Sequence, residues 1–281
     1  MIEITTEQFE QLLPMVGTAS EDVFLKMQPS FAATYADMID STIGEEYEEQ
    51  ACAEGSPLAG YVRNFVILST FLQRLRSHDL ILTDTGFGIV SNENIAPASQ
   101  ARVDALEHEL RCMADVALYG AINRLRLIDG WADTVQAYAT IKSFVWCPLL
   151  LRQWCGARHD ATSDDLARLL PDIYAAENAL RRELSAAQID ELLAEERRAA
   201  YKPSHREAIM HICRFIGMRV DANASDGVRH IDVAEQMGQV LQFVEDHISD
   251  FPIYRNSPAY RANHMDAYEN KTDDPTFFFG C

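Results

Sequence analysis

No stretch of this 281-residue chain approaches the ~18 uncharged apolar residues of a membrane span. The most apolar runs, residues 65–72 and 144–151, are short and flanked by Arg63, Arg74, Lys142 and Arg152, so they read as core segments. Basic residues are scarce, 24 against 43 acidic ones, for a formal net charge of −19. Residues 1–60 hold twelve acids and one base, Lys26. A body this acidic is not expected to grip nucleic acid through a general basic face. The six cysteines (Cys52, Cys112, Cys147, Cys155, Cys213 and Cys281) lack the regular spacing of a disulfide framework or a zinc site. They are expected to be reduced and structural.

Catalytic signatures are missing too. There is no Gly-x-Ser-x-Gly elbow and no His-Glu-x-x-His. Gly86-Phe87-Gly88 lacks a third glycine in register and a following Lys-Ser/Thr, so it reads as part of a turn and not as a phosphate loop. His205 and His211 stand six apart and fall on different helix faces, as does Cys213. The run Glu45-Glu46-x-Glu48-Glu49 lacks the alternating pattern of a calcium loop and reads as a solvated face. His108, between Glu107 and Glu109, reads the same way, and Trp131, Trp146 and Trp154 read as core or interface. The expectation is a non-enzyme with no catalytic, cofactor-binding or metal residues. The opening MIEITTEQFEQLL is acidic and amphipathic, unlike a secretory signal or transit peptide, so folding in the cytoplasm is expected.

What is present is helical periodicity over a chain that is 48% apolar, enough for a sizeable core. Val23, Phe24, Met27, Phe31, Tyr35, Met38 and Ile39 recur at threes and fours across residues 21–43, with a kink or break expected at Pro29. Further helices are expected at about 58–76, 98–127, 132–142, 163–184, 187–200, 204–219 and 228–248. The 98–127 helix carries a stripe of Val103, Leu106, Leu110, Met113, Val116, Leu118 and Ile122. Between two helices, residues 79–94 hold two short strand candidates around a Thr83-Asp84-Thr85-Gly86 turn, which predicts a small β-hairpin. Residues 21–39 echo residues 163–181, with Pro29 matching Pro171; a duplicated helical module or chance likeness between Ala- and Leu-rich helices explains this.

Residues 251–281 differ. They carry Pro252, Pro258 and Pro275 and seven aromatics: Phe251, Tyr254, Tyr260, Tyr268, Phe277, Phe278 and Phe279. No helical or strand period runs through them. Such a segment left in solvent would be an aggregation hazard, so it is expected in a groove on its own body or on a neighbour. The sequence thus predicts a mainly α fold: a multi-helix body, one small β-hairpin insert and an extended irregular C-terminal tail. The expected divisions are 1–128 with the hairpin at 79–94, then 129–249, then a tail at 250–281.

Residues 78–111 carry Asp79-Leu80-x-Leu82-Thr83, Thr85-Gly86-Phe87-Gly88, Val90-Ser91-Asn92, Pro97-Ala98-Ser99 and Arg102-Val103. The C-terminal stretch carries Tyr268-Glu269-Asn270-Lys271 and Asp274-Pro275-Thr276-Phe277-Phe278-Phe279. In these two stretches the chain resembles an uncharacterised structural protein family of gut-anaerobe phages and prophages. The resemblance implies a head-to-tail adaptor or connector in the virion, assembled in the host bacterial cytoplasm as a homo-oligomeric ring. Its implied partners are the portal protein and tail proteins. It brings no cofactor, no membrane and no sequence-specific nucleic acid, with DNA passing through the lumen. On this reading the protein interface comprises Phe251, Tyr254, Tyr260, Tyr268, Phe277, Phe278, Phe279, Phe87 and Ile89. A phage tail-completion protein, or a soluble helical binding or regulatory protein whose tail folds back on itself, are the alternatives.

Overall fold

The computed structural model describes residues 2–14, 16, 20–53, 55–77, 80–83, 86–89, 99–156, 158–224 and 230–264. The fold is mainly helical. In chain order the helices are α1 (Thr6–Leu12), α2 (Ser20–Met38), α3 (Glu48–Cys52), α4 (Pro57–Arg74), α5 (Gln100–Leu125), α6 (Val135–Thr140), α7 (Pro148–Trp154), α8 (Ser163–Leu184), α9 (Ala186–Arg198), α10 (His205–Ala224), α11 (His230–Asp246), α12 (Pro252–Arg255) and α13 (Pro258–Asn263). Between α4 and α5, the backbones of β1 (Leu80–Thr83) and β2 (Gly86–Ile89) run antiparallel, with Leu80 opposite Ile89 and Thr83 opposite Gly86.

α1 starts on a capping box. The Thr5 hydroxyl accepts from Gln8 N at 3.3 Å, and Gln8 Oε1 accepts from Thr5 N at 3.1 Å. Two of the amides left free at a helix start are thereby satisfied. Thr5→Ala is expected to cost about 1 kcal/mol, read as a small fall in the urea midpoint. The helix buries Phe9, whose ring lies 5.7 Å from Phe24 and 6.4 Å from both Phe31 and Phe71. That aromatic knot holds α1 on α2 and α4.

The apolar stripe of α2 faces inward: Phe24, Met27, Phe31, Tyr35 and Met38 are buried, as is Ile39 just beyond it, while Val23 is half-buried. The helix is not broken at Pro29, which occupies an exposed position within it. A break is found later, where a π-helical turn, Ile39–Ile43, ends at Gly44 with a positive φ of 91°. Fully buried Trp131 fastens this turn, its indole Nε1 donating to Thr42 O and Ile43 O at 3.1 Å each.

α4 and α5 form the most extensive helix pair. Tyr61 lies flat against Gly120, where a Cβ would stand 2.4 Å from the ring. α10 meets the end of α7 still more closely: a Cβ on Gly217 would stand 2.1 Å from the Trp154 carbonyl oxygen, so only glycine permits the approach. One continuous cluster of buried side chains runs from Ile2 to Tyr254.

The segment expected to form an extended tail from residue 250 is folded at its start, which corrects the expectation for residues 250–263. Pro252 and Pro258 each occupy the first turn of a short helix. There a missing N–H costs nothing, because that amide has no intrahelical acceptor. Phe251 is fully buried and stacks on His205 at a centroid distance of 4.7 Å. His205 is itself buried, with Nδ1 2.9 Å from Glu195 Oε2 and Nε2 2.8 Å from Asp250 O. Tyr254 N donates to Gln188 Oε1 at 3.0 Å, and its hydroxyl donates to Glu245 Oε1 at 2.8 Å.

Candidate functional site

The nine residues expected at a protein interface fall into three groups. Phe251 and Tyr254 are packed inside the chain's own core and offer nothing to a neighbour, which corrects their assignment. Tyr260 is half-buried, edge-on to Tyr254 at 5.3 Å and stacked on His264 at 3.9 Å. Phe87 and Ile89 lie on β2, where the backbone is described; Tyr268, Phe277, Phe278 and Phe279 lie outside the described residues. The twelve acids of residues 1–60 are clearer. Ten are exposed, Glu48 is half-buried, and Glu54 lies outside the described residues.

Much of the chain's polar chemistry lies along and just past α5. On one side, a cleft of about 590 Å³ opens between the end of α4, the first turns of α5 and the approach to α8. Arg76 Nη2 lies 2.8 Å from Asp104 and 2.7 Å from Glu107, while Arg111 reaches Glu107 at 2.9 Å and Asp164 at 2.8 Å. The Arg111 and Arg76 guanidinium groups hold the Glu107 carboxyl below its usual range. The Thr162 backbone amide does the same for Asp165, in a capping box that starts α8. The arginines and carboxylates largely neutralise each other, so the cleft bridges α4, α5 and α8 without presenting one sign of charge. Exposed pairs of this kind each contribute little to stability.

Deeper on α5, Asp115 is buried, and burial pushes its carboxyl up to about 6 despite Arg152 Nη2 at 3.5 Å. Arg152 is held by α7 and donates from Nε to Ala161 O at 2.6 Å and from Nη2 to Cys112 Sγ at 3.3 Å. Cys112 Sγ also lies 3.6 Å from Nε2 of His108, one turn earlier on α5. Across α5 from the cleft is a groove of about 380 Å³ between α1, α4 and α5, with mainly apolar walls. Val116, assigned by periodicity to a core stripe, is 48% exposed on this groove's wall.

A second polar group lies inside the body. Arg126, just past α5, pairs with Glu196 Oε1 at 3.0 Å, and the two side chains are only 6% and 11% exposed. Arg126 also donates to the Tyr201 hydroxyl at 2.9 Å and to the Glu196 carbonyl oxygen. Trp146 Nε1 donates to Glu196 Oε1 at 3.0 Å, and Tyr201 donates to Glu196 Oε2 at 2.8 Å. Burial, with Glu196 alongside, pushes the Tyr201 phenol up to about 12. The cluster joins α5 to α9 and is a structural tie. Nearby, Glu177 Oε1 accepts from Phe144 N at 2.8 Å, and burial pushes that carboxyl up to about 7.

Among the described residues, no three His, Cys, Asp or Glu side chains are placed to hold a metal ion, and no helix is long and apolar enough to cross a membrane. Sequence reasoning placed His108 on a solvated face and missed its neighbours. The i,i+4 spacing of His108 and Cys112 was the one readable signal, since Arg152 arrives from a different helix.

Residues 12–137, from the end of α1 into α6, match a family of unknown function, DUF6712. No curated protein and no solved structure matches the chain.

Proposed function

We propose that the protein is a structural virion component of the head-to-tail junction, an adaptor subunit that assembles as a ring on the portal and forms part of the DNA conduit. The carrying observation is the exposure of ten of the twelve acids in residues 1–60, set on a helical body. Carboxylates lining a conduit repel phosphates and let a duplex slide without sticking. The sequence resemblance in residues 78–111 and 268–279 supports the same role. In this reading the aromatic residues Tyr268 and Phe277–Phe279, with the hairpin bearing Phe87 and Ile89, are the arms that meet a neighbouring subunit, the portal or tail proteins. A closed set of such head-to-tail contacts gives cyclic symmetry.

The test is truncation after His264, because a cut at residue 250 would strip Phe251 and Tyr254 from the core. The shortened chain is expected to keep its thermal melt and to fail to enter complete particles. Normal incorporation of the shortened chain would defeat the tail-contact role.

One observation favours a second reading, a soluble helical binding or regulatory protein with a folded-back tail. The first part of the C-terminal segment packs on α8 and α9 of its own chain. A compact species with no ring, at concentrations and in the presence of portal protein where the first reading requires one, would decide for it.

A further inference from the structure

Five free cysteines lie among the described residues, and they are not alike. Cys147, Cys155 and Cys213 are buried, and burial pushes the Cys147 and Cys155 thiols up to about 12 and that of Cys213 well above its ordinary value. Thiols so placed are inert near neutral pH. Cys52 is half-buried, with its sulfur 2.6 Å from the Tyr35 hydroxyl.

Among the five described cysteines, Cys112 alone has a nitrogen base and a guanidinium at its sulfur. His108 Nε2 lies at 3.6 Å, placed by the four-residue spacing on α5, and Arg152 Nη2 at 3.3 Å, brought across by α7. The guanidinium is fixed by Ala161 O and Asp115, so its position is set before any reagent arrives. Cys112 is half-buried and lines the 380 Å³ groove, beside Leu12, Tyr61, Leu68, Met113 and Val116.

We propose that Cys112 is a reactive thiol site, activated by His108 and Arg152, that takes soft electrophiles carrying an apolar body. For an enone-type electrophile the step is an addition. The Sγ proton passes to His108 Nε2, with Arg152 stabilising the thiolate left behind. A sulfur electron pair then forms the S–C bond at the β-carbon, and the C=C π pair moves to the α-carbon. That carbon takes the proton back from the imidazolium. No oxidant or leaving group is involved. The apolar groove wall seats the body of the reagent, and the polar cleft on the other side of α5 keeps His108 in contact with solvent. The site is independent of the assembly role.

The test uses the full chain with N-phenylmaleimide at pH 7, each cysteine being followed by peptide mass spectrometry. Cys112 is expected to label about tenfold faster than Cys52. Because His108 is exposed, His108→Gln spares the fold while slowing Cys112 about fivefold or more and leaving Cys52 unchanged. A maleimide of similar size bearing a carboxylate is expected to react more slowly at Cys112. Labelling of Cys112 no faster than Cys52, or an unchanged Cys112 rate in His108→Gln, overturns the proposal. Equal rates for the two maleimides overturn the role of the groove.

Discussion

Arg126→Met is expected to destabilise the fold by about 3–5 kcal/mol, read as a fall in the urea midpoint at unchanged slope. The cost comes from what stays behind. Glu196 keeps its hydrogen bonds from Trp146 and Tyr201, but its charge, in a side chain 11% exposed, loses its cation. An unpaired charge in such surroundings is penalised far more than the pair itself contributes. A second substitution separates the causes. Glu196→Gln in the Arg126→Met background removes the stranded charge while keeping an oxygen for Trp146, so it is expected to recover part of the loss. A loss below about 1 kcal/mol for the single variant would mean that water reaches the pair and that the tie between α5 and α9 is weak.

Glu177→Gln is expected to stabilise the protein at pH 8 by about 2–3 kcal/mol and to change little at pH 4. In the folded protein burial raises this carboxyl from 4.5 to about 7. The folded state therefore binds the proton more tightly than the unfolded chain. The stability that the protonated form contributes is complete below about pH 4.5 and is lost as pH rises through about 7. Glutamine keeps the carbonyl that accepts from Phe144 N and cannot ionise, so the variant escapes that loss. Asp115 works in the same direction over a lower window, from 3.8 to about 6. Urea midpoints for both proteins at the two pH values measure the effect. An equal difference at both would show that the carboxyl is not the source.

The helical class was legible because its signal is local. Periodicity placed α8 at residues 163–184, the bounds found, and six of the seven apolar positions it marked across residues 21–43 are buried, Val23 being half-buried. It missed the short helices α1, α7 and α12, where four to seven residues hold too few turns for a period to show. The prolines at 252 and 258 misled for a different reason: a proline breaks a helix from within but suits its first turn. The polar groups were the least legible. Arg126 meets Glu196 across 70 positions, and Cys112 meets Arg152 across 40. No spacing rule within a single helix connects such pairs. The partners of His205, Glu195 and the Asp250 carbonyl, follow from how α10 and the C-terminal segment pack.

The burial of Phe251 and Tyr254 also sets a length. With the segment fastened as far as the short helix at residues 258–263, any arm begins at His264 and not at residue 250. The fifteen residues that follow His264, up to Phe279, span at most about 54 Å when fully extended. On the proposed adaptor role, the receiving surface on a neighbouring subunit lies within that radius of His264. The spacing of subunits in any ring joined by these phenylalanines therefore has an upper bound fixed by where the chain is pinned.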